Sequence, residues 1–150
     1  MRKKIMIVVI GMTLITMLAG YGCHEKNTKY ESAMQNADSY LKESDFESAI
    51  GCYDIAAKLE PKSAVPLIKM ADIYIMQELY EKAEDTIEQA ILLAPDSADA
   101  YKTKMTLDLK SGKGYDAYDA LIHVNECGGA SITPEEYLQL GKLLNEQGFT

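Results

Sequence analysis

The chain has 150 residues, 47% of them hydrophobic and 25% charged, which suits a single globular domain. Residues 1–22 carry three basic side chains and no acid, whereas the remainder carries 12 basic and 23 acidic ones, a net charge of −11. This charge disfavours nucleic acid as a ligand, because phosphate backbones are bound by neutralising them with Lys and Arg. Three cysteines are too few for a disulfide scaffold.

The first 22 residues have the layout of a secretory signal. Arg2, Lys3 and Lys4 form a cationic head, and an uncharged run follows from Ile5 to Tyr21. A run of about 17 residues just spans a bilayer, so an uncleaved anchor is an alternative to cleavage. The positive head stays in the cytoplasm, which predicts an extracytoplasmic location for the rest of the chain.

The end of this run, Leu18 to Cys23, resembles the lipobox of bacterial lipoproteins, in which a small residue precedes a cysteine that is diacylglycerated and becomes the mature N-terminus. Gly22 and Cys23 match, whereas Gly20 stands where the family usually has an aliphatic residue. The resemblance implies a signal peptide at 1–22, a lipid anchor on Cys23 and a tether at 23–29. Ordinary cleavage would instead leave Cys23 as a plain thiol.

From Tyr30 onward the sequence repeats with a period of 34 residues. Such a period, with apolar residues at helical spacing, predicts an all-α helical-repeat solenoid. Aligning 30–63 over 64–97 pairs identical residues at about nine positions: Ala37 with Ala71, Asp38 with Asp72, Tyr40 with Tyr74, Glu47 with Glu81, Ala49 with Ala83, Ala56 with Ala90, Leu59 with Leu93, Pro61 with Pro95 and Ser63 with Ser97.

Each unit is predicted to contain two helices, which in the first unit span about Glu31–Lys42 and about Phe46–Leu59. Capping-box patterns, Thr28-x-x-Glu31 and Ser44-x-x-Glu47, stand at the predicted starts. Proline follows the second helix in both units and ends it, because its ring cannot continue a helix.

This alignment resembles the tetratricopeptide repeat (TPR) family, which has small residues at repeat positions 8, 20 and 27, aromatic ones near 11, 17 and 24, and proline at 32. The resemblance implies a right-handed solenoid of helix-turn-helix units. The first unit fills these positions with Ala37, Ala49, Ala56, Tyr40, Phe46, Tyr53 and Pro61, and the second with Ala71, Ala83, Ala90, Tyr74, Tyr80, Ile87 and Pro95.

A third, degenerate unit covers 98–131, and 133–150 is predicted to be a partial repeat that caps the domain. Met105, Asp108 and Gly114 depart from the pattern of the third unit. Thr133-Pro134-Glu135-Glu136 is a capping box with proline at the first helical position. The alternative is that the chain is a piece of a longer repeat protein that continues beyond Thr150. The terminal helix of a solenoid needs a polar outer face. In this helix that face is predicted to consist of Lys142, Asn145, Glu146 and Gln147.

No motif indicates catalysis, a cofactor or a metal site. His123 and Cys127 stand four residues apart on one predicted helix, but the repeat register places His123 on an outer face with no cleft beside it. Neither histidine has a second ligand at zinc-binding spacing. Cys52 and Cys127 fall two units apart, which is too far for a disulfide. We therefore expect a protein that is not an enzyme.

The TPR resemblance implies a concave groove lined by the first helix of each unit. Asp38 and Asp72 stand where co-chaperone members of the family have the asparagines that help grip a carboxylate, so a partner with apolar side chains and some positive charge fits better. We expect Ile68 and Met76 to face solvent, because neither occupies a packing position. The groove positions hold Met34, Asp38, Leu41 and Lys42 in the first unit, Ile68, Asp72, Ile75 and Met76 in the second, and Lys102, Thr106, Leu109 and Lys110 in the third. The candidate groove residues among them are Met34, Asp38, Ile68, Asp72, Ile75, Met76 and Lys102.

Together these features predict a membrane-anchored extracytoplasmic lipoprotein that acts as a scaffold or adaptor for another envelope protein. An accessory or regulatory subunit of an envelope enzyme, or a piece of a longer repeat protein, is the alternative.

Overall fold

The computed structural model describes residues 27–148, which form seven α-helices and contain no strand. The all-α helical-repeat fold is therefore confirmed. The predicted signal peptide and Cys23 lie outside the described residues, within which no helix is long and apolar enough to cross a membrane. The helices are α1 (27–42), α2 (Phe46–Leu59), α3 (Val65–Met76), α4 (Tyr80–Leu93), α5 (Ala98–Ser111), α6 (Gly114–Glu126) and α7 (Pro134–Glu146).

Equivalent turns follow the first helix of each unit and define the repeat. A residue in the left-handed conformation stands in each turn: Ser44 (φ 59°), Glu78 (φ 59°), Gly112 (φ 78°) and Gly148 (φ 82°). The first three are 34 residues apart and the last follows after 36. Helix α7 is thus the first helix of a fourth unit. The connection between α6 and α7 is two residues longer than the repeat requires, which accounts for the spacing of 36.

The start of α1 and the N-cap of α2 differ from prediction. The N-cap of α2 is Asp45, whose carboxylate accepts a hydrogen bond from the Ser48 backbone N–H at 3.1 Å. Ser44 cannot take this role because the turn holds it in the left-handed conformation. Residue 27 is already helical, so Thr28 does not cap α1, and 27–29, which we assigned to the tether, belong to this helix.

The predicted start of α7 is confirmed. Thr133 Oγ1 accepts a hydrogen bond from the Glu136 backbone N–H at 3.2 Å, and the Glu136 carboxylate accepts one from the Thr133 backbone N–H at 2.7 Å. Two backbone N–H groups that the helix itself leaves without partners are satisfied in this way.

The small residues of the repeat lie where helices cross. A methyl group at each crossing lets two helix backbones approach closely, and the buried side chains form three clusters, each shared by neighbouring hairpins. Side chains with no exposed surface include Ala37, Ala49, Ala56, Ala71, Ala83 and Ala90.

Helix α7 covers the end of the third unit. Leu140 and Leu144 pack in a cluster with Met105, Leu109 and Leu121. The polar residues predicted for the outer face of α7 are exposed, as expected of a terminal helix: Lys142, Asn145, Glu146 and Gln147.

Gly114 departs from the repeat pattern because α7 passes directly over it. A Cβ atom on Gly114 would lie 2.6 Å from Gln147 Oε1 and 3.0 Å from Leu143 Cγ. An aromatic residue, as in the first two units, would push α7 away.

In the third unit, Asp108 stands where the first two units have Tyr40 and Tyr74, and it belongs to a network of charged side chains. The Asp108 side chain is completely buried and receives the Lys104 ammonium at 3.0 and 3.1 Å. Lys104 also contacts Glu84 at 2.7 Å, and Lys113 contacts Glu84 at 2.8 Å. Burial raises the pKa of Asp108, and the Lys104 ammonium opposes that rise. The network joins α4 to α5 and to the start of α6.

Candidate binding groove

An open cleft of about 420 Å³ lies beside the C-terminal halves of α3 and α5. Ile75 and Met76 form its apolar side, and charged groups from α3, α5 and the α3–α4 turn stand around them. Met76 is 61% exposed, so the prediction that it faces solvent is confirmed. The lining residues are Asp72, Ile75, Met76, Glu78, Tyr80, Thr106 and Lys110.

The prediction that Ile68 faces solvent is wrong. Ile68 is 8% exposed and packs in a cluster that includes Ala100 and Leu107 of α5. The cause is the packing of α5 across α3, which also leaves Ile75 only 8% exposed. Met76, at the end of α3, lies beyond this contact.

The remaining candidates do not line the cleft. Met34 packs partly buried against the cluster that contains Tyr53 and Ile73. The Lys102 ammonium donates a hydrogen bond to the Ser131 carbonyl oxygen, which ties α5 to the α6–α7 connection. The structure thus brings together Asp72, Ile75 and Met76, but not Met34 and Lys102.

The two aspartates each join two helices, although only Asp72 lines the cleft and Asp38 does not. The Tyr53 hydroxyl donates a hydrogen bond to Asp38 at 2.5 Å, and the Thr103 hydroxyl donates one to Asp72 at 2.9 Å. Burial and the neighbouring Asp38 raise the pKa of Tyr53, which keeps its hydroxyl protonated as a donor. The repeated aspartate at position 9 was the sequence signal for these contacts.

Burial raises the pKa of Asp72, against the hydrogen bond from Thr103 and the charges of Lys69 and Lys102. Asp72 is therefore a partly desolvated acid on the wall of the cleft. A cation placed beside it would stabilise its charged form.

Sequence reasoning missed two residues of the cleft, Glu78 and Tyr80. Glu78 occupies the left-handed turn position, and Tyr80 was assigned to packing alone. Both enter the cleft because the turn after α3 is short. An aromatic residue directly after a turn was the only available signal.

His123 has a cleft beside it, contrary to prediction. This recess of about 280 Å³ is lined in part by His123, Tyr101 and Asp119. The His123 ring stacks on Tyr101 with centroids 4.6 Å apart, and its nitrogens lie 3.9 Å from the Asp119 carboxylate and 3.3 Å from that of Glu126. Within residues 27–148 no group of three potential ligands is placed to hold a metal ion.

Comparison with known proteins agrees with this geometry. Residues 40–107 match the family model described as tetratricopeptide repeat. A search of curated protein sequences finds no match. Over these residues the chain resembles tetratricopeptide repeats, and its fold is that of a TPR-type solenoid.

Solved structures of similar fold include several peptide complexes. The first TPR of Spaghetti (RPAP3), bound to the HSP90 peptide SRMEEVD, is 20% identical with a TM-score of 0.71 and covers 80% of this chain and 96% of that one. The second TPR domain of human RPAP3, in complex with the HSP70 peptide SGPTIEEVD, is 24% identical with a TM-score of 0.67, covering 79% and 97%. The TPR2B domain of yeast Sti1, in a complex with pHsp70, is 22% identical with a TM-score of 0.69, covering 80% and 98%. At these identities the likeness shows the fold alone.

Proposed function

We propose that this chain is a non-enzymatic scaffold that is tethered to a membrane through Cys23, outside the cytoplasm, and docks a segment of another protein in the cleft between α3 and α5. TPR domains are protein–protein interaction modules. The observation that carries the docking site is Met76, an apolar side chain 61% exposed in a recess of about 420 Å³. Exposed apolar surface with a polar rim is typical of contact sites.

The charges of the cleft favour a partner segment with an apolar side chain next to Lys or Arg. Asp72 and Glu78 line the cleft together with Met76. Lys110 is the one cation among the residues that line this cleft. The peptides in the RPAP3 complexes carry consecutive glutamates, which these two carboxylates would repel. A basic side chain beside Asp72 would instead offset the desolvation of that carboxylate.

Sequence features support the tether. The apolar run 5–21 follows a cationic head, and Cys23 stands where a lipobox has its modified cysteine. Two acyl chains suffice for stable anchoring. A membrane-held scaffold would meet its partner within a few nanometres of the bilayer.

Site-specific photocross-linking tests the docking site in the native membrane. A photoreactive residue at Met76 is expected to cross-link one partner, at a segment that contains an apolar residue next to a basic one. The same residue at Ile122, which is exposed on α6 outside the cleft, is the matched control. Asp72→Asn removes the charge but keeps an oxygen for the Thr103 hydrogen bond, and it should weaken the Met76 adduct without altering helix content. Equal cross-linking from both positions, or an adduct of unchanged yield in Asp72→Asn, would contradict the site.

Substitution of Cys23 tests the tether independently of the cleft. Cys23→Ser is expected to release the protein from membranes or to leave it as an unprocessed precursor, because the acyl chains supply the anchoring energy. Membrane fractionation and the mass of the N-terminal fragment measure both outcomes. A variant that stays membrane-bound and is processed normally would show that lipid on Cys23 is not the anchor.

A further inference from the structure

The chain enters the solenoid at one particular edge. Because short turns make successive helices antiparallel, the starts of α1 and α3 lie at the same edge as the ends of α2 and α4. The Tyr30 hydroxyl oxygen lies 3.1 Å from Ser63 Oγ, which places the start of α1 against the α2–α3 turn. We call the surface at this edge formed by Ile55, Val65, Leu92 and Leu93 the entry edge.

The entry edge is apolar although the repeat does not require it. Leu92 is 82% exposed, and Ile55, Val65 and Leu93 are 52%, 47% and 43% exposed. The residue equivalent to Val65 is an acid in the other two units, Glu31 and Asp99, and the residue equivalent to Leu92 in the first unit is Lys58. Val65 and Leu92 are therefore not packing residues of the repeat, whereas Leu93 has Leu59 as its equivalent in the first unit.

The length of the sequence before α1 identifies what lies near this edge. The apolar run ends at Tyr21, and four residue steps separate Cys23 from Asn27, the first helical residue described. Four extended steps reach roughly 14 Å. A helix of 14 residues is about 21 Å long, which exceeds this reach. An anchor in the apolar run or on Cys23 therefore keeps the entry edge close to the bilayer and the opposite edge away from it.

The charges in the turns at the two edges also favour the entry edge as the one nearer the bilayer. The turns α2–α3 and α4–α5 at the entry edge carry two acids and one base, Glu60, Asp96 and Lys62. The turns α1–α2, α3–α4 and α5–α6 at the opposite edge carry three acids and one base, Glu43, Asp45, Glu78 and Lys113. Contact with a bilayer at the entry edge therefore desolvates fewer acids, although the domain as a whole is strongly acidic.

We propose that the entry edge rests in the interfacial region of the membrane that anchors the chain, with Leu92 and Val65 among the headgroups and upper acyl carbons. The inference rests on the proposed tether. It also fixes the orientation of the docking cleft, because Met76 and Glu78 lie at the opposite edge. The cleft then faces the aqueous compartment, about one helix length from the bilayer.

Tryptophan fluorescence measures this contact directly, because the chain has no tryptophan of its own. Leu92→Trp is the test variant. Leu79→Trp is the matched control, since Leu79 is 40% exposed at the opposite edge, just before α4. Each full-length anchored protein is reconstituted into phosphatidylcholine vesicles, with and without bromine on the acyl chains. We expect bromine to quench the Leu92→Trp indole roughly two-fold more than the Leu79→Trp indole.

Two other outcomes would overturn the proposal. Equal quenching of both variants would show that the entry edge has no preferred contact with lipid. A blue-shifted but unquenched Leu92→Trp emission would show that protein, such as a second copy of the chain, covers the edge instead.

Vesicle flotation separates failure of this inference from failure of the tether. If the wild-type protein does not float with the vesicles, the tether is wrong and the entry-edge proposal falls with it. If the protein floats but the Leu92→Trp indole is unquenched, only the entry-edge proposal is refuted.

Discussion

Replacing Lys104 by methionine is expected to destabilise the domain strongly, because it removes the only cation in contact with a fully buried carboxylate among the described residues. The Lys104 ammonium lies 3.0 Å from the nearer oxygen of Asp108, whose side chain has no exposed surface, and 2.7 Å from Glu84. Methionine keeps most of the aliphatic volume, so the change isolates the charge. Glu84 keeps Lys113 at 2.8 Å, which leaves Asp108 as the unpaired group.

Removing one partner of a buried ion pair typically costs about 3–5 kcal/mol, because the remaining charge stays desolvated. Replacing both partners by apolar residues is often neutral. We therefore expect a loss of roughly 3 kcal/mol or more for Lys104→Met and recovery of most of it in the Lys104→Met, Asp108→Leu double variant. Asp108→Leu also restores a large apolar side chain at the position that Tyr40 and Tyr74 occupy in the first two units.

Urea unfolding followed by circular dichroism at neutral pH measures these differences. Lys58→Met is the matched control, because Lys58 pairs with Asp54 at the same four-residue spacing, but with the side chains 73% and 47% exposed. That exposed pair should contribute less than about 1 kcal/mol. Equal losses for Lys104→Met and Lys58→Met, or no recovery in the double variant, would refute the reasoning.

The pH dependence supplies a second check on the same variant. Burial already raises the pKa of Asp108, and loss of the ammonium raises it further. A carboxyl whose pKa is higher in the folded state than in the unfolded state lowers stability above the unfolded pKa. The deficit of Lys104→Met should therefore shrink as pH falls through the folded-state pKa of Asp108. A deficit that is constant with pH would assign it to lost packing.

Three further predictions concern α7 and the groove. Gly114→Val should displace α7, since its side chain would collide with Leu143 and Gln147, and should increase amide exchange in 134–146; unchanged exchange would contradict this packing. Deleting 133–150 should expose Met105 and Leu109, with a loss of several kcal/mol in urea unfolding; an unchanged midpoint would show that α7 is no cap. Asp72→Asn should raise the melting temperature at neutral but not at acid pH, because burial raises the pKa of Asp72 and its charge costs stability above that pKa; equal effects at both pH values would refute this origin.

Local chemistry was enough to predict the repeat unit. The bounds of α2 were predicted as Phe46–Leu59, the bounds the structure has, because apolar spacing and the proline after the helix are local signals. The capping box at Thr133 was predicted for the same reason, since each of its hydrogen bonds joins residues three apart. Two units in register also predicted which alanines lie at the helix crossings.

Where the turn conformation decided the outcome, the same reasoning was wrong. Ser44 and Asp45 both have side chains that can cap a helix, and the sequence does not tell which one the turn places in the left-handed region. The turn holds Ser44 at a φ of 59°, which leaves Asp45, the residue directly before α2, as the cap.

The groove depended on contacts between units, which no single repeat specifies. Ile68 and Met76 occupy the same helix and were both predicted to be exposed, yet the packing of α5 across α3 buries Ile68 and leaves Met76 free. Asp108 breaks the repeat pattern in sequence, and only the approach of Lys104 and Glu84 shows why a charge is tolerated there. Periodicity along the chain determines which residues form helices and which face each helix presents inward. Burial at the ends of that face depends on how far the next helix extends across it, which only the tertiary packing decides.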